Sequence, residues 1–275
     1  MGVSKYLLLN TMEFSKIVGS GNDFIIINNL EGRIKNRKNL AIKLCDRKFG
    51  VGGDGILFLE KSKKADFKMR IFNPDGSEAE MCGNGLRCLL RFIYENKLTK
   101  KKKLMIETKA GVLDGEIKNK NIKVRIKIMG EPRLNMKIPV DNEIIISNYI
   151  NTGVPHTVIF VDDVEKVDVL KLGPKIRFSD IFGKEGTNVD WVELVGDRTI
   201  KIRTYERGVE NETLSCGTGC VASAIITFLY KKMKPPINVI TKSKEILKVY
   251  FDEDLKNIFL EGKTFYSFKG EWIES

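Results

Sequence analysis

Two short stretches of this chain match each other at a separation of 134 residues. Cys82-Gly83-Asn84-Gly85 and Cys216-Gly217-Thr218-Gly219 each run straight into a segment with helical apolar spacing. Leu86, Leu89, Leu90 and Ile93 share one face in the first, and Val221, Ala224, Ile225 and Phe228 in the second. The same offset carries Gly52-Gly53-Asp54 onto Gly186-Thr187-Asn188 and Asn22 onto His156. With a slip of one residue it carries Arg70-Ile71-Phe72-Asn73 onto Arg203-Thr204-Tyr205-Glu206. A chain that repeats itself over half its length is expected to fold as two similar units facing each other. At about 150 residues per domain, 275 residues accommodate two such units, each able to bury its own core.

The remaining pattern is mostly extended. Apolar or alternating runs predict strands over 24–27, 56–59, 67–72, 104–108, 112–117 and 122–129. A helix is predicted over 40–49, and Asn73-Pro74-Asp75-Gly76 reads as a turn. In the second half, strands are predicted over 157–161, 189–194, 200–205, 238–241, 247–251, 258–261 and 264–268. The expected fold class is α+β: two pseudo-symmetric, barrel-like β-rich units, each with a central helix, and a cleft between them. The division falls at 1–128 and 129–275. Residues 1–11 read as an extension, and the last strand, 264–275, returns to the first unit.

The helix starts carry the chemistry. The first turn of a helix leaves backbone N–H groups without partners, and they carry roughly half a positive charge that suits anions. A thiol placed there is expected to have its pKa lowered toward neutrality. Two such helices facing each other converge on one carboxylate, with a thiol on either side of the adjacent carbon. Inverting a stereocentre needs a base on one face and an acid on the other, in roles that exchange when the reaction reverses. Thiol and thiolate can do this without a cofactor, because the carbanion delocalises into a carboxylate held by N–H groups. The two thiols are expected to titrate as a coupled pair. Cys88 and Cys220, further into the same helices, read as core.

Several function classes are disfavoured. The one histidine, His156, disfavours His-rich metal sites, and the cysteine spacings are not those of a zinc site, so no metal is expected. Five cysteines at irregular spacing are not a disulfide framework. No apolar run approaches a membrane span, Leu7-Leu8-Leu9 is too short for a signal-peptide core, and Tyr6 stands where myristoylation needs Ser or Thr. A cytoplasmic location is expected. The net charge of +11 raises nucleic acid as a partner. Its lysine runs, such as Lys100 to Lys103 and Lys61 to Lys64, fall between periodic segments without interleaved aromatics. They read as solvated surface, so neither nucleic acid nor membrane is expected as a partner.

The motifs together resemble the diaminopimelate epimerase family. The matches are Gly21-Asn22-Asp23-Phe24, Phe72-Asn73-Pro74-Asp75-Gly76-Ser77 and Met81-Cys82-Gly83-Asn84-Gly85 with Arg87-Cys88. They continue with Gly153-Val154-Pro155-His156, Thr187-Asn188, Tyr205-Glu206-Arg207-Gly208 and Cys216-Gly217-Thr218-Gly219. The resemblance runs from Met12 onward. It implies cofactor-independent interconversion of LL- and meso-diaminopimelate on the route to lysine, two pseudo-symmetric α/β domains and a homodimer. It assigns Cys82 and Cys216 as catalytic acid and base, and Gly83, Asn84, Gly217 and Thr218 as the cradle of the reacting carboxylate. It assigns substrate contacts to Asn22, Asn73, Asn188, Glu206 and Arg207, and tuning of the thiols to His156 and Glu206. Arg207 could grip a distal carboxylate bidentately, with Glu206 and the asparagines on the distal ammonium. Val154 stands where many members carry Asn, and Val18 where a His-Gly pair is common; position 55 is Gly where some have Gln.

Rival readings are a proline racemase or hydroxyproline epimerase, which would not need Arg207 and the asparagines for a distal end. A phenazine-pathway isomerase would not require the cysteine pair. A basic nucleic-acid-binding module would use the charge alone.

Overall fold

Runs such as Phe24-Ile25-Ile26-Ile27 and Ile56-Leu57-Phe58-Leu59 carry no polar alternation, and the structure gives the reason. In this computed structural model, which describes residues 11–118 and 121–273, both strands are covered on both faces. Phe24, Ile26, Leu57 and Leu59 pack into the main apolar core. Ile25, Ile27, Ile56 and Phe58 point the other way, into a smaller cluster with Ala41 and Leu44. Strands buried on both faces read as continuous hydrophobic runs.

In chain order the elements begin β1 (Thr11–Gly19), β2 (Asn22–Asn28), α1 (Arg37–Cys45), β3 (Gly55–Glu60) and β4 (Phe67–Phe72). There follow β5 (Glu78–Ala79), α2 (Gly83–Glu95), β6 (Lys103–Thr108), β7 (Gly111–Lys118) and β8 (Asn121–Ile126). The second half has β9 (Arg133–Val140), β10 (Glu143–Asn151), β11 (Pro155–Phe160), α3 (Val169–Arg177), β12 (Asn188–Gly196) and β13 (Thr199–Glu206). It ends with β14 (Asn211–Thr213), α4 (Gly217–Lys231), β15 (Ile237–Ile240), β16 (Ile246–Tyr250), β17 (Ile258–Lys263) and β18 (Phe265–Ile273).

The two halves share one connectivity. β2 pairs parallel with β3, β3 antiparallel with β4, β4 parallel with β6, and β6, β7 and β8 follow as antiparallel neighbours. β11, β12, β13, β15, β16 and β17 repeat that sequence of directions. At the opposite edges, β1 lies between β2 and β18, as β10 lies between β11 and β9. β8 and β17 pair with each other from Asn121↔Lys263 to Ile126↔Ile258 and join the halves. The last strand runs back along the first, from Val18↔Phe265 to Thr11↔Ile273. The architecture is α+β with two pseudo-symmetric halves.

α2 and α4 sit within the strands of their own halves and also touch each other. Leu86, Cys88, Leu89, Leu90 and Ile93 of α2 join Cys220, Val221, Ala224 and Ile225 of α4 in one core. At about 1.5–3 kcal/mol for each fully buried aliphatic side chain, these faces hold the helices in place.

Thr11, the last residue of the expected extension, begins β1, and residues 1–10 lie outside the described residues. Two sequence readings need correction. The helix expected over 40–49 is α1, Arg37–Cys45. Asp46 Oδ1 accepts from Lys48 N at 2.7 Å and Phe49 N at 2.8 Å, diverting N–H groups that a longer helix would use. β9, β10 and α3 were not foreseen. α3 hides behind Gly173-Pro174, two helix breakers. Gly173 is there because the Tyr205 ring lies 2.5 Å from where a Cβ would sit.

Candidate active site

Cys82 and Cys216 are the N-cap residues of α2 and α4. Their extended backbones, φ −143° and −115°, set each thiol at the mouth of its helix. Cys82 Sγ accepts from Gly85 N at 3.4 Å. The two helix starts meet: a Cβ on Gly217 would lie 3.3 Å from Asn84 Oδ1 and 3.2 Å from Leu260. The β1–β2 turn closes on the same place, since a Cβ on Gly21 would lie 3.0 Å from Leu214, two residues before Cys216. Gly21 has φ +85°, a conformation glycine adopts without strain.

On the α4 side a polar chain leads away from the sulfur. Cys216 Sγ lies 3.4 Å from Thr218 Oγ1, which lies 3.0 Å from His156 Nε2. His156 Nδ1 is 2.7 Å from Asp190 Oδ2, and Thr204 Oγ1 donates to Asp190 Oδ1 at 2.7 Å. His156 and Asp190 are both fully buried. An ionised Asp190 only accepts, so it fixes the His156 proton on Nδ1 and leaves Nε2 to face Thr218.

On the α2 side the chain is built from amides. Asn84 Nδ2 donates to Asn22 Oδ1 at 2.8 Å, and Asn22 Nδ2 donates to Asp54 Oδ2 at 3.1 Å. Arg47 bridges Asp54 and Asp23, with contacts of 2.7 Å to each. Lys16 also pairs with Asp23 at 2.9 Å. Although burial opposes it, Arg47 and Lys16 hold the Asp23 carboxyl down to about 2.

Asn188 and Arg207 adjoin each other. Asn188 Nδ2 donates to the Pro155 carbonyl at 2.7 Å, and Asn188 Oδ1 accepts from Arg207 N at 2.8 Å. The Arg207 guanidinium faces the exposed Glu185 carboxylate at 3.3 Å. Asn73 is placed differently: its side chain bonds Ser77 Oγ at 3.0 Å within its own turn.

The expectation of thiols shifted toward neutrality is overturned. Burial raises both cysteines, Cys216 strongly, and the negative charge of Glu206 raises both further. Asp190 adds to the effect on Cys216. Losing water outweighs the helix N-terminus and the Gly85 N–H. Glu206 is itself raised by burial.

Sequence reasoning gave no role to Asp190 or Asp54. Asp190 had a usable signal, lying two residues beyond Asn188 on the same strand face.

A family profile for diaminopimelate epimerase matches residues 14–135 and 148–265. The diaminopimelate epimerase of Aquifex aeolicus is 46% identical, covering 96% of this chain and 98% of its own. That of Methanocella arvoryzae is 41% identical, covering 96% of this chain and 97% of its own. Among solved structures, a PhzF-family phenazine biosynthesis protein of Bacillus anthracis superposes with TM-score 0.73 at 17% identity, covering 97% of this chain and all of its own. A hydroxyproline epimerase of Agrobacterium vitis superposes with TM-score 0.72 at 13% identity, over 96% of this chain and 93% of its own. These two likenesses establish the fold, whereas the sequence matches reach further: this chain belongs to the diaminopimelate epimerase family.

Proposed function

We propose that this chain inverts one α-carbon of LL-2,6-diaminopimelate to give the meso form, with Cys82 and Cys216 as the acid and base and no cofactor. The observation that carries this is the meeting of two cysteine-capped helix starts. The reacting carboxylate sits against the first-turn N–H groups of Gly83-Asn84 and Gly217-Thr218. One thiolate takes the α-proton, the electron pair delocalises into that carboxylate, and the thiol on the other face returns a proton to the carbon. The thiolate is then on the other side, and reversal exchanges the roles. For Cys216, the Thr218 hydroxyl and His156 Nε2 offer a route by which its proton leaves, with Asp190 holding the resulting imidazolium.

The distal amino-acid end suits Arg207, Asn188 and Asn22. Arg207 exchanges the exposed Glu185 for a substrate carboxylate at little cost, since such surface pairs are weak. A proline racemase reading shares the fold and the cysteines but leaves this polar surface without a use. The basic charge supports a solvated surface, because lysines such as Lys101, Lys201 and Lys242 sit on Asp66, Glu165 and Glu212. Among the described residues no helix is long and apolar enough to cross a membrane. A homodimer in the cytoplasm is part of this reading.

Reduced protein incubated with LL-diaminopimelate in D2O should yield the meso isomer with one α-deuterium, and L-proline should be left unchanged. Turnover of proline but not of diaminopimelate would sink the assignment. Cys82→Ala and Cys216→Ala should each abolish epimerisation, and full activity in either would contradict the two-base mechanism.

A further inference from the structure

Arg87, on the second turn of α2, is fully buried. Its Nη2 donates to Ser20 Oγ at 2.6 Å and to Asn84 Oδ1, and its Nη1 donates to the Lys263 carbonyl at 3.3 Å. Its Nε finds no partner among the described residues. Every one of these partners is neutral. Among the described residues no carboxylate is within ion-pair distance of the guanidinium. That is unusual, because taking a charge out of water is costly and buried arginines are ordinarily paired.

The scaffold does not ask for this cation. The 134-residue offset that lays Cys82 on Cys216 lays Arg87 on Val221, which is also fully buried. The same turn of the same helix is therefore built from an aliphatic side chain in the other half. Space has been left for the guanidinium at Gly262, where a Cβ would collide with Arg87 Nη1.

The charge lies behind the α2 loop, where Asn84 abuts the α4 loop. Its acceptor Asn84 Oδ1 is the atom that faces Gly217. With Oδ1 held by Arg87 and Nδ2 held by Asn22, the Asn84 amide is fixed at both ends. The other charged or titratable groups around the thiols are Glu206 on β13, Asp190 on β12, His156 on β11 and Glu245 just before β16. Glu206 and Asp190 act against thiolate, whereas Arg87 opposes the effect of burial on Cys82. Glu245 bears on Cys88 and Cys220. Lys263 offers Arg87 only its carbonyl, its side chain being exposed.

We propose that Arg87 is a positioning residue for the epimerisation: it fixes Asn84 at the mouth of α2 and leaves an unpaired positive charge behind that helix start, favouring thiolate at Cys82 and the bound carboxylate. The carboxylate part rests on the function proposed above; the thiolate part does not need the substrate.

Neutralising Arg87 without removing it tests this. Ser20 has φ 54°, a conformation Asp and Asn tolerate, so Ser20→Asp gives the guanidinium a carboxylate and Ser20→Asn an uncharged control. Alkylation of Cys82 by iodoacetamide is followed against pH by mass spectrometry on the substrate-free protein. The midpoint should rise by half a unit or more in Ser20→Asp and stay in Ser20→Asn, with kcat/KM falling at least tenfold in the first only. A folded Ser20→Asp with the parental midpoint and kcat/KM overturns the proposal, as does Ser20→Asn shifting both equally. Should Ser20→Asp not fold, Arg87→Lys and Arg87→Met decide. Lys should keep the midpoint and Met should raise it, and equal midpoints overturn the proposal. Expected midpoints in a parent protein that leaves LL-diaminopimelate unchanged would fault the proposed reaction and not Arg87.

Discussion

A single carboxylate bears on both thiols. Glu206, at the end of β13, raises Cys82 and Cys216 together, on top of the larger effect of burial. Removing its charge should therefore lower both thiols. In Glu206→Gln, iodoacetamide should alkylate each cysteine several-fold faster at a fixed pH below its midpoint, half a pH unit being about 3-fold in thiolate. Unchanged rates at both sites would show that Glu206 does not govern them. The two cysteines were legible because Cys-Gly-x-Gly is written twice, and Glu206 only through the resemblance of Tyr-Glu-Arg-Gly to the family's motif. The direction of the thiol shifts was not legible. It depends on how much water the packing around the two helix starts removes, and burial is a property of the packed chain. His156 shows the same division. The sequence offers one histidine, and only the packing puts Asp190 on one nitrogen and Thr218 on the other.

The hairpins ahead of the two cysteines share one brace. Arg70 grips Glu78 and Arg203 grips Glu212, both through two hydrogen bonds, and each glutamate lies four residues before its cysteine. The braces differ in burial: Glu212 is 5% exposed and Glu78 24%. Arg203 also donates to the carbonyls of Val164 and Val167, each at 2.9 Å, and Lys242 joins Glu212. Breaking the buried pair leaves a charge stranded, which costs about 3–5 kcal/mol; a more exposed pair is worth about 1 kcal/mol or less. Glu212→Ala should lower urea-unfolding stability by about 3 kcal/mol and Glu78→Ala by about 1 kcal/mol. Equal losses would show that burial does not set the strength of the brace. The paired arginines were visible in the repeat as Arg70 and Arg203, but their partners were not, since β5 and β14 are too short to carry a periodic signal.

At the scale of the molecule, the halves exchange their edges. The chain leaves β8 to begin the second half with β9, and leaves β17 to return along β1 as β18. β18 covers Phe14, whose ring meets Phe268 edge-on at 5.9 Å and leaves room at position 270 only for glycine. Removing residues 265–275 should uncover Phe14 and Ile17 and open an unpaired strand edge. The melting temperature should fall by at least about 10 °C, a loss of several kcal/mol in a chain of this size. A truncated chain that melts like the parent would show that β18 is dispensable. The sequence by itself determined that there are two copies of one unit, that each carries a cysteine at a helix start, and which family the motifs belong to. Those properties are written locally, in glycines, caps and apolar period. Only the tertiary structure decided the register of β18 along β1, that Arg87 lies beside Asn84 without a carboxylate partner among the described residues, and that the thiols are raised. Each of these depends on contacts between residues far apart in the chain and on the water those contacts exclude, and no local pattern records either.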